Sequence, residues 1–219
     1  ALFLQGYCAL YRKHPDEEVL QRINLLASRL ISLKTEGFSG NCWGYNFDWQ
    51  ARAFFQPRKS PTVVASTYAG YALLDAFDIT QNEEYRDEAL GISRFITNDL
   101  NRTYDGEGNL AFSYSPLDRT QVFNASLLGS RMLSRIHHHT SNEEQIDLAR
   151  RSVGFCCKHQ HDDGSWSYGT LPYHSWIDNF HTGFNLECIA EYQRYSQDHT
   201  FSENLNAGTK YYLENFFTE

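Results

Sequence analysis

The sequence predicts an all-α protein built from repeated helical hairpins, and three observations lead to that prediction. Apolar residues recur at the spacing of one helical stripe, for example from Val19 to Ile31. A short polar turn motif occurs three times, at 80–85, 140–145 and 196–201, each time between two helical stretches. A glycine-rich loop with an aromatic-small-tyrosine signature precedes each of these helical pairs. Together they indicate one structural unit repeated along the chain.

The signature reads Trp43-Gly44-Tyr45, Phe112-Ser113-Tyr114 and Trp166-Ser167-Tyr168. The repeat length of about 55–60 residues exceeds the ~34 residues of a tetratricopeptide repeat and matches the α/α toroid. In a toroid, inner helices line a central cavity and outer helices wrap around them. We therefore predict one α/α-toroid domain over 1–219, an incomplete barrel or arc of about four hairpins, or a fragment of a longer toroid.

The elements follow in order along the chain. A helix is predicted over 16–34, because acidic residues occupy its first turn, and a shorter helix before it. The next, over 61–78, begins at a proline and carries a ladder of small residues that lets another helix approach closely. The remaining helices are predicted at 82–100, 121–139, 142–159, 180–196 and 202–216. Seven or eight helices result.

Composition excludes several classes of function. The 219 residues carry a net charge of −8, which argues against nucleic acid or an anionic membrane surface as the main partner. Ala1 to Leu10 is too short for a membrane span and has no signal-peptide layout, so we predict a cytoplasmic protein without membrane insertion. The five cysteines lack metal-binding spacing and are expected to be free, mostly buried thiols. We predict no metal site and no cofactor, and the oligomeric state stays open.

Aromatic residues make up 15% of the chain, and three ring-rich segments hold the candidate site residues. In the first segment, Trp43, Tyr45 and Trp49 alternate along an extended stretch beside Asp48. Rings next to a carboxylate suit a sugar, which stacks its C–H face on aromatics and bonds its hydroxyls to acids. The alternative is that the rings close the mouth of the barrel and that Asp48 pairs with Arg52.

The second segment leads from Tyr114 through Asp118 and Arg119 to Asn124 at a helix start. Arg119 is a candidate clamp for a substrate carboxylate, and Asn124 a candidate neutral donor. The alternative is that Asp118 and Arg119 are loop and cap partners and that Asn124 only satisfies the backbone.

The third segment contains Trp166, Tyr168 and Trp176, followed by Asp178 and His181. The spacing of three across a helix start lets the Asp178 carboxylate orient the His181 ring, as a general acid or base requires. His181 occupies the repeat position of Ala65 and Ala125, so the predicted neighbours are small. The alternative is that Asp178 only caps the helix and His181 packs among the rings.

Three stretches carry a resemblance: CWGYNFDWQ at 42–50, FSYSPLDR at 112–119 with FNASLLG at 123–129, and DGSWSYG at 163–169 with WIDNFHTGF at 176–184. They resemble bacterial α/α-toroid proteins found with polysaccharide-biosynthesis genes, the VpsJ-type or prenyltransferase-like proteins. The resemblance implies cell-surface polysaccharide metabolism, on a fold shared with glycosidases, lyases, sugar epimerases and terpene cyclases. The stretch Trp176 to His181 is more loosely similar, with different spacing, to an element of glucuronyl C5-epimerases.

We therefore predict a carbohydrate-active enzyme of lyase, epimerase or hydrolase type, with an oligo- or polysaccharide substrate. In the first two reactions His181 or a tyrosine such as Tyr45 moves the proton; hydrolysis would need Asp48 paired with Asp118 or Asp178. The alternatives are a non-catalytic carbohydrate-binding or assembly component of polysaccharide biosynthesis, and an isoprenoid-handling enzyme. For the last, the chain has no Asp-x-Asp-Asp or Asp-Asp-x-x-Asp element placed for carbocation chemistry.

Overall fold

The structure, a computed structural model, describes residues 1–52 and 54–217. It confirms the all-α prediction: the described residues are mostly helical, with only two short two-stranded sheets. The chain divides into two compact units, Ala1–Asp99 and Leu100–Glu219, and each is described by itself.

Unit 1 contains the helices α1 (Leu2–Lys13), α2 (Glu17–Ile31), α3 (Val63–Thr80), α4 (Glu83–Leu90) and α5 (Ile92–Arg94), followed by a π-helical turn at Phe95–Asp99. Strands β1 (Trp49–Gln50) and β2 (Phe55–Gln56) pair antiparallel in the loop before α3. Helix α3 is apolar around most of its circumference and packs against α1, α2 and α4, so it forms the core of this unit.

One helix of unit 1 differs from its prediction. A single helix was expected over 82–100, but α4 ends at Leu90 and the chain passes through α5 into the π-helical turn. The reason lies in the loop between α2 and α3, because the Asn41 side chain donates to the Glu88 carbonyl at 2.8 Å and the Asn41 N–H to the Gly91 carbonyl at 3.1 Å. These bonds compete with the intrahelical bonds of the two carbonyls, and the regular helix is interrupted there.

Unit 2 begins with the strands β3 (Arg102–Tyr104) and β4 (Leu110–Phe112), an antiparallel pair in the register Thr103↔Ala111. Its helices are α6 (Phe123–Thr140), α7 (Glu143–Lys158), α8 (Asn179–Ser196) and α9 (Ser202–Phe216), with a 3₁₀ turn at Pro172–His174. Helix α6 packs against both α7 and α8, and α9 packs against α8. All four helix predictions for this unit are confirmed to within two residues.

The three repeated turns begin in the same way. The first helix of each pair, α3, α6 and α8, ends on a residue in the left-handed region: Gln81 (φ 55°), Ser141 (φ 53°) and Gln197 (φ 59°). The next residue is Asn82 in the first turn and Asn142 in the second, and its side chain caps the following helix. In these two turns, a left-handed residue followed by an asparagine cap therefore reverses the chain between the paired helices.

Two further sequence expectations concern cysteines and membranes. All five cysteines are buried and free, as predicted. Among the described residues, no helix combines the length and the apolar character that crossing a bilayer requires.

Candidate functional site

The aromatic loop before α8 forms a continuous group of contacting rings in unit 2. The ring of Tyr168 is stacked on Trp176, with centroids 4.3 Å apart, and meets the His181 ring edge-on at 4.7 Å. The Tyr168 N–H donates to the carbonyls of both His174 and Trp176 at 3.0 Å, which folds the loop back on itself. The loop thus holds Tyr168 directly beside the first turn of α8.

Asp178 binds His181 at two points. Its Oδ1 accepts from the His181 backbone N–H at 2.7 Å, which caps α8, and its Oδ2 lies 2.7 Å from the His181 ring Nδ1. A carboxylate that accepts from Nδ1 fixes the ring with the proton on that nitrogen. The Nε2 atom, which has no partner among the described residues, then carries the lone pair. Asp178 therefore both caps α8 and orients the His181 ring.

Burial, hydrogen bonds and nearby charges shift the pKa values of two residues in this loop. Partial burial alone would raise the pKa of Asp178, but hydrogen bonds from the His181 backbone and ring outweigh it and lower the pKa. Burial raises the pKa of Tyr168 to about 12, with help from the negative charges of Asp118 and Asp178. Tyr168 is therefore a protonated hydroxyl at neutral pH, and that hydroxyl makes no hydrogen bond to a described residue.

Trp166, predicted to bind substrate, is a core residue of unit 2. Only 2% of it is exposed, and its indole N–H donates to the Cys156 carbonyl at 2.9 Å. A Cβ on Gly208 would lie 2.5 Å from the indole ring, so α9 packs directly against it. The Trp166 ring offers no face to a substrate in this structure.

Asp118 organises the loop that precedes α6. Its two carboxylate oxygens accept from the backbone N–H groups of Tyr114, Ser115 and Thr120 and from the hydroxyls of Ser115 and Thr120, at 2.6–3.2 Å. Tyr114 itself is buried. This geometry matches the alternative interpretation, in which Asp118 is a partner of its own loop.

Arg119 and Asn124 have no such bonds. Arg119 is exposed and has no hydrogen-bond or ion-pair partner among the described residues, so it is not a cap. Asn124 is 7% exposed, and its Oδ1 is sealed without a partner. The alternative in which Asn124 satisfies backbone groups is therefore wrong. The preceding Phe123 N–H donates to the Tyr168 carbonyl at 3.1 Å, so this helix start adjoins the Tyr168 loop.

The first segment lies in unit 1. Trp43 is 4% exposed and donates its indole N–H to the Leu30 carbonyl at 2.8 Å, which makes it a core residue. Tyr45 is half-buried and contacts Phe47 and Trp49 with centroids 5.5 and 5.4 Å apart. Asp48 is exposed and accepts from a backbone N–H at 2.7 Å, that of Arg58.

The structure thus brings together Tyr168, Trp176, Asp178 and His181 in unit 2, with Asn124 and Arg119 at the neighbouring helix start. In unit 1 it groups Tyr45 and Trp49 near Asp48 and places Trp43 in the core. The predicted convergence of Asp48 with Arg119 and His181, and the pairing of Asp48 with Asp118 or Asp178, stay predictions.

Sequence analysis missed one residue of this group, His174. It is fully buried, neither of its ring nitrogens has a hydrogen-bond partner, and burial lowers its pKa. Its ring lies edge-on to Tyr168 at 5.3 Å. The one available signal was its position in a Pro172-Tyr173-His174 turn between two ring-rich stretches. Among the described residues, no group of three or more His, Cys, Asp or Glu side chains could hold a metal ion.

Comparison with known proteins identifies the fold. No family model matches the chain, and no curated protein matches it in sequence. Solved structures similar to it include a cellobiose 2-epimerase from Bacillus thermoamylovorans (TM-score 0.69, 15% identity), a polysaccharide lyase (0.66, 14%) and a glycoside hydrolase family 76 mannosidase from Bacteroides thetaiotaomicron (0.68, 12%). The matches cover 97–98% of this chain but 58–60% of the other chains. The fold is therefore that of the α/α-toroid enzymes, and the chain spans about three fifths of their length.

Proposed function

We propose that this protein is a carbohydrate-active enzyme that transfers a proton at a sugar ring, with His181 as the acid–base residue. The observation that carries the proposal is the arrangement of Asp178, His181 and Tyr168. A histidine fixed by a carboxylate, with its second nitrogen free, lies beside a protonated phenol. General acid–base catalysis requires such a pair of groups.

Each residue has a separate task in this proposal. His181 Nε2 accepts a proton from the sugar, and Asp178 stabilises the resulting imidazolium through its bond to Nδ1. Tyr168 donates from its hydroxyl to the group that gains negative charge. Trp176 stacks behind Tyr168 and holds the phenol ring in place.

The similar folds support a saccharide substrate, because the proteins they belong to are named as epimerase, lyase and hydrolase. Within unit 2, proton transfer is favoured over hydrolysis, since hydrolysis needs two available carboxylates. Asp118 accepts five hydrogen bonds from its own loop, and Asp178 is engaged by His181. Neither carboxylate is free to attack a sugar or to activate water.

The test is to incubate the protein with a panel of bacterial polysaccharides and cellobiose in D₂O and to follow the saccharides by NMR. Deuterium at a ring carbon indicates epimerisation, a new C=C signal indicates elimination, and new reducing ends without a C=C signal indicate hydrolysis. We expect one of the first two, lost in His181→Ala and retained in His199→Ala, a change at an exposed histidine. New reducing ends with neither a C=C signal nor deuterium at a ring carbon, or turnover that survives His181→Ala, would reject the proposal.

A second candidate is a non-catalytic carbohydrate-binding protein. The ring cluster of unit 1 favours it, because Phe47 is 55% exposed and stacks on Tyr45 without any histidine nearby in the loop. In that case saccharide would bind without chemical change, and Phe47→Ala would weaken binding whereas His181→Ala would not. The resemblance to VpsJ-type proteins makes polysaccharide biosynthesis the pathway class we propose for either function.

A further inference from the structure

The first helices of the three pairs, α3, α6 and α8, differ in how their first turns are capped. In α3 the Thr62 side chain accepts from the N–H of Ala65, and in α8 Asp178 accepts from the N–H of His181. The equivalent N–H in α6 is that of Ala125. The residue at its cap position is Val122, which has no acceptor side chain. Helix α6 therefore starts with free backbone donors at the positive end of its dipole.

A second observation at the same place points to a ligand. The Asn124 side chain is more than nine-tenths buried in the first turn of α6, yet its amide has no hydrogen-bond partner among the described residues. A buried amide without partners costs stability unless something binds it. Its Oδ1 is sealed, so the amide nitrogen, a donor, is the end that can take up a ligand.

The charged and acceptor side chains of residues 118–122 are already bonded, with one exception. Asp118 is saturated by its own loop, and the Gln121 carbonyl and side chain both accept from Thr170, at 3.2 and 2.7 Å. The exception is Arg119, three residues before the cap position, whose guanidinium is exposed and unpaired among the described residues. The free groups at this helix start are thus two backbone N–H donors, the amide nitrogens of Gln121 and Asn124, and the Arg119 guanidinium. All of them are donors, and the guanidinium is cationic.

We propose that the start of α6 is a carboxylate subsite and that the substrate is a uronic-acid saccharide, whose carboxylate supplies the missing cap of this helix. This inference rests on the proposed function. The subsite lies close to the acid–base residues, because Tyr168 accepts from Phe123 N–H with its carbonyl and meets His181 with its ring.

A carboxylate held there makes the proposed chemistry feasible. His181 Nε2 takes the proton on C5, the C5–H bond breaks, and its electron pair delocalises into the carboxylate. Return of a proton from the Tyr168 hydroxyl to the opposite face of C5 gives the epimer, and the proton held by His181 then restores Tyr168. Breakage of the C4–O bond instead forms a C4=C5 double bond, and the leaving oxygen takes a proton from Tyr168, which His181 restores. Neither outcome needs another reactant.

The experiment is a titration of the ¹⁵N-labelled protein with D-glucuronate and, as the neutral control, D-glucose. We expect glucuronate to move the backbone signal of Ala125 and the side-chain amide signal of Asn124, and glucose to move neither. Arg119→Ala should raise the Kd for glucuronate about tenfold, because a charge-assisted bond is lost, whereas Arg29→Ala, at an equally exposed arginine, should not. Val122→Thr, which copies the cap of α3, should weaken binding by occupying the Ala125 N–H.

Two results would overturn the subsite: glucuronate that moves neither signal, or Kd values within twofold of wild type for both Arg119→Ala and Val122→Thr. Because Arg119 is exposed, its variant folds even if Val122→Thr does not. Failure of the proposed function looks different. His181→Ala would then turn over saccharide like wild type while glucuronate still bound at α6. A neutral saccharide turned over in a His181-dependent way, without glucuronate binding, would reject the subsite alone.

Discussion

The loops before α3 and α8 begin alike and end differently. Trp43 and Trp166 occupy the same position of the repeated signature, and each donates its indole N–H to a carbonyl in the last turn of the preceding helix. The acceptors are Leu30 at 2.8 Å and Cys156 at 2.9 Å. Both rings are buried. The feature that the two loops share is therefore the tryptophan, which anchors each loop to the helix that precedes it in the chain.

After the tyrosine of the signature, the two loops diverge. Tyr45 is half-buried among rings that extend into solvent, and Asp48 binds a backbone N–H of its own loop. Tyr168 is buried under Trp176, next to a histidine that a carboxylate orients. The shared signature therefore fixes where the loop packs on the preceding helix. The residues between the signature and the next helix determine the chemistry of the loop.

The largest expected effect tests whether the loop before α8, rather than the loop before α3, holds the catalytic residue. His181→Ala should lower the turnover rate by about 10²–10⁴, the usual cost of losing a general acid–base group. Asp48→Ala should lower it less than tenfold, since Asp48 is exposed and serves its own loop. Rates from the D₂O assay, with circular dichroism melts to verify folding, check this prediction. Equal losses in the two variants would mean that the loops share the catalytic role.

The next effect tests whether Trp43 and Trp166 anchor their loops equally. Trp43→Ala and Trp166→Ala should each destabilise the protein by about 3–5 kcal/mol, because a large buried ring is removed and a carbonyl loses its donor. Trp176→Ala, at a half-buried ring, should cost less. Urea unfolding measures all three. A small cost at Trp43 with a large cost at Trp166 would show that the anchors are not equivalent.

A glycine variant sharpens the account of the Trp166 anchor. Gly208→Ala places a methyl group 2.5 Å from the indole ring, and overpacking of this kind typically costs about 1–3 kcal/mol. The matched control is Gly6→Ala in α1, where nothing lies within 4 Å, and there alanine should stabilise the helix by about 0.5–1 kcal/mol. Thermal melts of the two variants should therefore shift in opposite directions. Destabilisation of both would assign the loss to glycine itself.

The smallest effect concerns pH and His174 in the α8 loop. Burial lowers its pKa, so on acidification the unfolded chain binds the proton before the folded chain does. Stability should be complete above about pH 6.5 and fall as the pH drops below that value. The lowered pKa of Asp178 acts in a separate window, below about pH 4.

Unfolding midpoints between pH 5 and 8 test this expectation. His174→Phe should flatten the decline below pH 6.5, because the buried ring then takes up no proton. His199→Ala, at an exposed site, should leave the decline unchanged. A decline that persists in His174→Phe would locate the titration elsewhere.

Local sequence patterns were sufficient to predict the helices, the three turns and the capped His181 position. These follow from local rules: apolar periodicity, left-handed helix ends and asparagine or aspartate caps act within a few residues of each other. The Asp178–His181 bond was predictable for the same reason, since it joins residues three apart on one helix start. The interruption after Leu90 was not, because its cause, Asn41, lies 47 residues before Glu88 in the chain.

Which aromatic and polar residues are available for chemistry depends on the packing of segments that local patterns do not reveal. Trp43 and Trp166 begin the signature that Tyr168 ends, but the indole rings pack against helices, α2 for Trp43 and α7 with α9 for Trp166, which makes both tryptophans core residues. Asp118 and Arg119 are adjacent, yet loop folding saturates one and leaves the other free. Burial and hydrogen-bond saturation depend on what packs from a distance, and local sequence patterns do not encode that partner.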